Sequence, residues 1–558
     1  MATWAAACFY STPQKDRAMK FPRIDVRQAA LAAAIAALIP QIATAEEAFK
    51  GHRRVEHVLL ISVDGMHQVD LENYLAAGHA KGGFARLAAH GVQYTHARSA
   101  QPSDSFPGLI AFMTGGSPKS HGIFYDDSYD RTLFAPGSAC KGKPGTEALF
   151  AENLDVDLTQ LNGGGATTGS VRDHIDTAQL PLRLNGTQCT PVYPHDYLKV
   201  NTIMEVIHAA GRRTAWSDKH PAYEIISGPS GKGLDELYAP EINSTSVAAT
   251  APALVPAAGP GDDWTKLPVY TRYYDDLKVT GVLNQIKGFD HTGAGAKPGV
   301  PAIFGMNFQS VSVGQKVTAD GYLNAAGTPS AELQASIEFV DQSLGKILDA
   351  LAAEKLLDST LVIVGAKHGQ SPIDVAQLHM LKGSANPKLL PGHADVVDPA
   401  DLLTNGGVPL AQETADDVAL IWLADQTRLP NALALLEADR AGSNTTRIQT
   451  IYSGAELKAR FGDPALGRTP DIIIQPIPGT IYSGSKKKIA EHGGFAADDT
   501  HVLLIASNPR LEQRRVGEHV ANKQVAPTIL KVLGLNPREL QAVRLEHTEV
   551  LPGLDFED

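Results

Sequence analysis

Hydrophobic residues along this chain gather into short continuous runs separated by longer amphipathic stretches, the pattern of a parallel sheet covered by helices on both faces. Val58 to Val63 is the first run and ends in Asp64-Gly65. Arg213 to Trp216, Ala302 to Phe308, Thr360 to Val364 and Val502 to Ala506 read as four further strands. Before the fourth, Leu333, Ile337, Val340, Leu344, Leu348 and Leu351 recur at spacings of three and four, which lays one apolar stripe along a helix. Thr328 as N-cap and Pro329 at the first helical position predict its start, and another helix begins near Asn201. The class expected is α/β, with a mostly parallel central sheet flanked by helices.

Two stretches interrupt this alternation. Residues 125–200 are rich in Gly, Thr, Asp and Pro with little periodicity, and read as loops over the surface. Residues 372–488 hold their own strand (Val418 to Leu423), a helix near Asn431 to Arg440 and a strand at Ile472 to Ile474, enough for an inserted α+β cap. The core then occupies 46–371 and 489–558. A chain of 558 residues has room for such an arrangement.

The N-terminus changes the picture only in destination. Lys20, Arg23 and Arg27 precede an apolar run from Ala29 to Ile42, followed by Ala43-Thr44-Ala45. This is the build of a signal peptide over 1–45, with Met19 the better start and export to a periplasm or the extracellular space expected. The 14-residue run is too short to span a bilayer core of roughly 30 Å, so no transmembrane anchor is expected after cleavage. Cys140 and Cys189 then remain as a pair that either bridges or stays as two thiols. A formal charge of −12 argues against wrapping a nucleic-acid polymer, which needs a basic face. It leaves room for a small phosphorylated ligand at a locally positive site.

Ligands of open parallel sheets gather at the carboxyl ends of the strands. Asp64 follows the first strand, Asn307 and Gln309 end the third, and Lys367-His368-Gly369 follows the fourth. Glu491-His492-Gly493-Gly494 precedes the fifth. Ser103-Asp104-Ser105-Phe106-Pro107-Gly108 leads into an apolar helix and sets Ser105 at its N-terminus, where the dipole favours an anion. A serine hydroxyl there still needs a base, a metal or a fixed cation to act as a nucleophile; helix capping is its commoner use. Ser217-Asp218-Lys219-His220 follows the second strand, so Asp218 and His220 are further candidates.

Taken in order, Ile61 to Gly65, Ser105-Phe106-Pro107, Met113 to Gly122, His368-Gly369, His492-Gly493 and Ala526 to Leu530 resemble the type I phosphodiesterase/nucleotide pyrophosphatase family of the alkaline phosphatase superfamily. The resemblance spans about 57–535, nearly all of the mature chain. It implies an alkaline phosphatase-like fold and a metal-dependent phosphoric ester hydrolase, a phosphodiesterase or phosphatase, with Ser105 forming a covalent phosphoseryl intermediate. It further implies two zinc-like ions that activate the nucleophile and neutralise the oxygens. The substrate expected is a small phosphate ester or nucleotide-like molecule.

The match to the usual metal ligands is incomplete. Asp64, His368 and His492 correspond, but Lys367 stands where the family has Asp, and Asn307 and Val311 replace an Asp and a His. Gly108 replaces an Asn that donates to phosphate. Valine cannot bind a metal, and a protonated lysine has no lone pair to offer. The expectation is therefore one divalent ion, zinc by preference, on Asp64, His368 and His492, with Lys367 supplying fixed charge and Asn307 and Gln309 touching substrate. A phosphomonoesterase, and a noncatalytic phosphoester-binding protein on a degenerate site, stay open as alternatives. A sulfatase is disfavoured because Ser105-Phe106-Pro107-Gly108-Leu109 lacks that family's Cys/Ser-x-Pro-x-Arg signature.

Overall fold

Eight strands form the central sheet: β1 (His57–Val63), β2 (Gly91–Arg98), β3 (Ala215–Ser217), β4 (Glu236–Tyr238), β5 (Ile303–Phe308), β6 (Thr360–Gly365), β7 (Leu504–Ser507) and β8 (Arg514–Ala521). Their order across the sheet is β8-β2-β7-β6-β1-β5-β3-β4. β1 runs parallel to both β5 and β6 at the centre, and only β7 is reversed, pairing antiparallel with β6 and β2. The computed structural model describes residues 55–555 apart from 80, 149–153, 166–170, 252, 255, 296 and 318–319. The expected leader, with Met19 and the cleavage site, lies outside the described residues.

β1 is buried on both faces, which is why it reads as an unbroken apolar run rather than an alternating one. Val58 and Leu60 join the core on one face, while Leu59, Ile61 and Val63 join the core on the other. The first face is covered by helix α1 (Ser105–Thr114), through Leu109, Ile110 and Phe112. The second is covered by α2 (Pro268–Ile286), α3 (Ser310–Lys316) and α4 (Ala331–Ala353). The apolar stripe of α4 packs inward as its spacing predicts, but the helix starts later than expected. Ser330 caps it, its Oγ accepting from the Leu333 N–H at 3.2 Å. Thr328 lies outside because Tyr322 and Pro329 form a β-bridge that keeps the preceding backbone extended.

Within 372–488, strands Leu410–Ala415, Ala419–Leu423, Ile472–Pro476 and Ile448–Ser453 make a four-stranded antiparallel sheet in that order. One face buries helix Leu429–Ala441 through Leu436. The opposite face packs Leu420, Trp422 and Ile473 against Phe124 and Tyr125. Residues 125–200 are not bare loop: they hold short hairpins, and Cys140 and Cys189 form a disulfide. No helix among the described residues is long and apolar enough to cross a membrane.

Candidate active site

The carboxyl ends of β1, β5 and β6 lie side by side, so Asp64, Asn307 and the Lys367-His368 pair emerge at one edge of the sheet. Reversal of β7 brings the loop before it, with Glu491 and His492, to that same edge. A segment that precedes an antiparallel strand thus meets segments that follow parallel ones. α1 begins here with Ser105 as its first residue and Asp104 as its cap, the Asp104 carboxylate accepting from the Phe106 N–H at 3.0 Å.

Ser105 is buried, and its Oγ lies 3.2 Å from His368 Nε2. His368 Nδ1 is 2.8 Å from the Gly369 carbonyl, which can only accept, so Nδ1 carries a proton and, in the neutral ring, Nε2 presents its lone pair to Ser105. Lys219 Nζ donates to the same Oγ at 3.3 Å and lies 4.0 Å from Asp64 Oδ2. Lys219 is the residue at this site that motif reading passes over. Its signal was its place between Asp218 and His220, just after the second strand.

Asp64 is the hub of the polar network. Its Oδ2 accepts from Gln309 Nε2 at 2.5 Å and Asn307 Nδ2 at 3.1 Å. Asn307 and Gln309 each commit one of their two amide donors to this carboxylate, leaving the second for another acceptor such as the substrate expected there. Lys367 Nζ lies 3.4 Å from Asp64 Oδ2, 3.6 Å from Asp218 Oδ1 and 4.9 Å from the centre of the Tyr223 ring. Burial alone would raise the Asp64 pKa; the Lys367 ammonium, with His368 and Lys219, outweighs it and holds the carboxyl well below its ordinary value. Asp218 enters the site, held by Trp216 Nε1 at 3.0 Å. His220 does not: its Nδ1 is engaged by Glu241 at 2.8 Å.

Lys367 and Gly108, two departures from the family pattern, touch each other. A Cβ on Gly108 would sit 2.2 Å from the Lys367 carbonyl oxygen, so the backbone that carries the lysine occupies the space a side chain at 108 needs.

Asp64, His368 and His492 do not assemble as the three-ligand metal group expected of them. Among the described residues no three His, Cys, Asp or Glu side chains are disposed to hold an ion. The His492 ring lies against His368 with centres 4.1 Å apart, and its Nδ1 faces Asp104 Oδ1 at 3.4 Å. Burial keeps His492 well below the usual imidazole pKa, hence neutral. Asp64 Oδ2 and His368 Nε2 remain as a two-atom donor set 3.7 Å apart, bordered by both ammoniums. A divalent ion 4 Å from one ammonium meets a repulsion of about 8 kcal/mol at an effective dielectric of 20. The charges of Asp64 and Asp218 are already matched by Lys219 and Lys367. These residues do not fit the family's pair of ions, and they fit a single ion poorly.

The family model for type I phosphodiesterase / nucleotide pyrophosphatase matches residues 58–167 and 317–497. None of the curated proteins matches the chain. Among solved structures, murine ectonucleotide pyrophosphatase / phosphodiesterase 5 in complex with AMP aligns at 16% identity and TM-score 0.50, covering 86% of this chain and 96% of that one. The human form aligns at 14% identity and TM-score 0.51, covering 86% and 95%. Wild-type alkaline phosphatase PafA aligns at 16% identity and TM-score 0.56, covering 87% and 97%. Likenesses at these identities establish an alkaline phosphatase-like fold.

Proposed function

The chain belongs to the type I phosphodiesterase / nucleotide pyrophosphatase family, and from that premise we propose that it hydrolyses small phosphodiesters through a covalent intermediate on Ser105. The observation that carries the reading is Ser105 Oγ set between His368 Nε2 at 3.2 Å and Lys219 Nζ at 3.3 Å, at the N-terminus of α1. Base, cation and helix dipole all act on one oxygen.

In the first step the Ser105 O–H bond breaks, its proton passes to His368 Nε2, and an Oγ–P bond forms. The bond from phosphorus to the leaving oxygen breaks, and that oxygen takes a proton from water. The hydroxide so formed attacks phosphorus in the second step. Ser105 Oγ departs and recovers its proton from His368. Lys219 stabilises the negative charge that builds on Oγ and the phosphoryl oxygens.

A diester is favoured over a monoester by the balance of charge. Two ammoniums face two carboxylates, which offers donors without net positive charge and suits a monoanion better than a dianion. The AMP held by the murine relative supports a nucleotide-like ester as substrate, and the N-terminal segment supports action after export.

The test uses bis-p-nitrophenyl phosphate and p-nitrophenyl phosphate with the full protein and Ser105→Ala. Release from the diester should exceed that from the monoester, and the alanine variant should lose on the order of 10³-fold or more. Acid quenching should leave a phosphoryl adduct on the Ser105 peptide by mass spectrometry. Faster monoester release would make the protein a phosphomonoesterase. Equal background release from both proteins would leave the phosphoester-binding alternative.

A further inference from the structure

The disagreement between this site and a metal centre has a positive side, because Lys219 and Lys367 stand among the atoms that bound ions would serve. Lys367 Nζ is fully buried and, among the described residues, has no hydrogen-bond partner, although it lies 3.4 Å from Asp64 and 3.6 Å from Asp218. Its ammonium is paired by charge with both carboxylates and closed off from solvent. Lys219 reaches Ser105 Oγ from the solvent side, with 17% of its side chain exposed. One amine is thus fixed inside and the other stands at the mouth.

We infer that phosphoryl transfer at this site runs on two lysine ammoniums in place of divalent ions, with Lys219 holding the phosphoryl oxygens, Lys367 supplying the buried charge that fixes Asp64, and His368 taking the Ser105 proton. This rests on the hydrolase reading above and adds that the reaction needs no bound metal. The charge donors are covalently part of the chain, so a chelator cannot remove them. A neighbouring ammonium stabilises a serine alkoxide by the same electrostatics as a metal, with less charge on each centre. Gly108 completes the arrangement, since the lysine-bearing backbone fills the space a phosphate-donating Asn would use.

The test measures binding of inorganic phosphate by calorimetry and metal content by mass spectrometry, alongside turnover of bis-p-nitrophenyl phosphate. The full protein is used after exhaustive dialysis against EDTA. The expected result is less than about 0.1 equivalent of any divalent metal, with phosphate affinity and turnover unchanged by the chelator. Lys219→Met should weaken phosphate binding at least tenfold and Lys219→Arg should largely restore it, with thermal melting showing that both variants fold. One or more tightly held metal equivalents, with phosphate binding lost in EDTA and recovered on adding zinc, would overturn the inference. Phosphate binding that depends on Lys219 in EDTA, without turnover of any ester, would defeat the hydrolase reading and leave the ammonium site standing.

Discussion

Gly108 and Lys367 illustrate how much a single position depends on its neighbour. The loop after β6 passes so close to α1 that a Cβ at 108 would meet the Lys367 carbonyl oxygen at 2.2 Å and its carbonyl carbon at 2.8 Å. Gly108→Ala should therefore cost about 1–3 kcal/mol, as overpacking does. It should also displace the Lys367 ammonium from Asp64. Turnover should fall further than a remote substitution of equal stability cost would explain, which parallel urea melts and bis-p-nitrophenyl phosphate kinetics will reveal. Both departures from the family pattern are visible in the sequence, but their contact is not, because the two positions are far apart in the chain. The placement of Asp64 and His368 at one edge follows from strand ends, while Ser105 is read from its helix start and the family motif. Lys219 escaped for a physical reason: a long flexible amine reaches a site from a loop with no periodicity or spacing to announce it. Asn307 and Gln309 carry the right chemistry for substrate, and each also spends one amide donor on the buried Asp64 carboxylate, a contact the sequence does not show.

Among elements, the short helix Pro118–His121 shows a motif with a structural use. Glu546, at the end of helix Gln541–Glu546, accepts from the Ser117 N–H at 2.8 Å and from Ser120 Oγ at 2.6 Å, and pairs with Lys523 at 2.8 Å. Those contacts tie the C-terminal segment to the end of α1. Burial alone would raise the Glu546 pKa; Lys523 and the two serines hold it at about 2. His121 accepts from the Ile123 N–H at 3.2 Å, and burial pushes its pKa down to about 3. Each folded pKa lies below its unfolded value, so each contribution to stability is complete above that unfolded value and is lost as pH falls. The His121 window opens below about 6.5, at up to about 1.4 kcal/mol per pH unit, and Glu546 follows below about 4.5. His121→Asn keeps an acceptor for Ile123 and does not titrate. Its urea midpoint should be flatter than the parent's between pH 6.5 and 4.5. Elements of the core were the most readable part of the chain: five strands and the stripe of α4 follow directly from periodicity. β4 and β8 lie at the sheet edges and carry charged residues there, as edges do, so no apolar run betrays them. The direction of β7 is set by tertiary pairing and leaves no local mark.

Across the molecule as a whole, residues 372–488 meet the central sheet's loops at two buried carboxyls, Asp417 and Asp499. Asp417, just before the strand Ala419–Leu423, accepts from the Gly494 N–H at 2.8 Å, two residues beyond His492. Asp417 Oδ2 and Asp499 Oδ1 are buried and, among the described residues, receive no N–H or O–H donor from another group. If one carboxyl keeps a proton and donates it to the other, both atoms are satisfied. Burial, then the Asp499 charge, raise the Asp417 pKa well above the usual range, while burial lifts Asp499 to about 7. Both folded values exceed the unfolded ones, so holding the proton costs stability progressively as pH rises above about 4. Asp417→Asn replaces the proton-dependent donor with an amide, whose oxygen still accepts from Gly494. The variant should match the parent near pH 4 and grow more stable relative to it as pH rises, by up to about 1.4 kcal/mol per pH unit until the parent's Asp417 ionises. Hydrogen exchange at Gly493 and Gly494 should slow in step at pH 8, because the loop that presents His492 hangs on that contact. Unchanged stability and exchange across pH 4–8 would mean the carboxyls hold no common proton, and the junction would then owe its strength to the apolar packing of Leu420 and Trp422 on Phe124 and Tyr125.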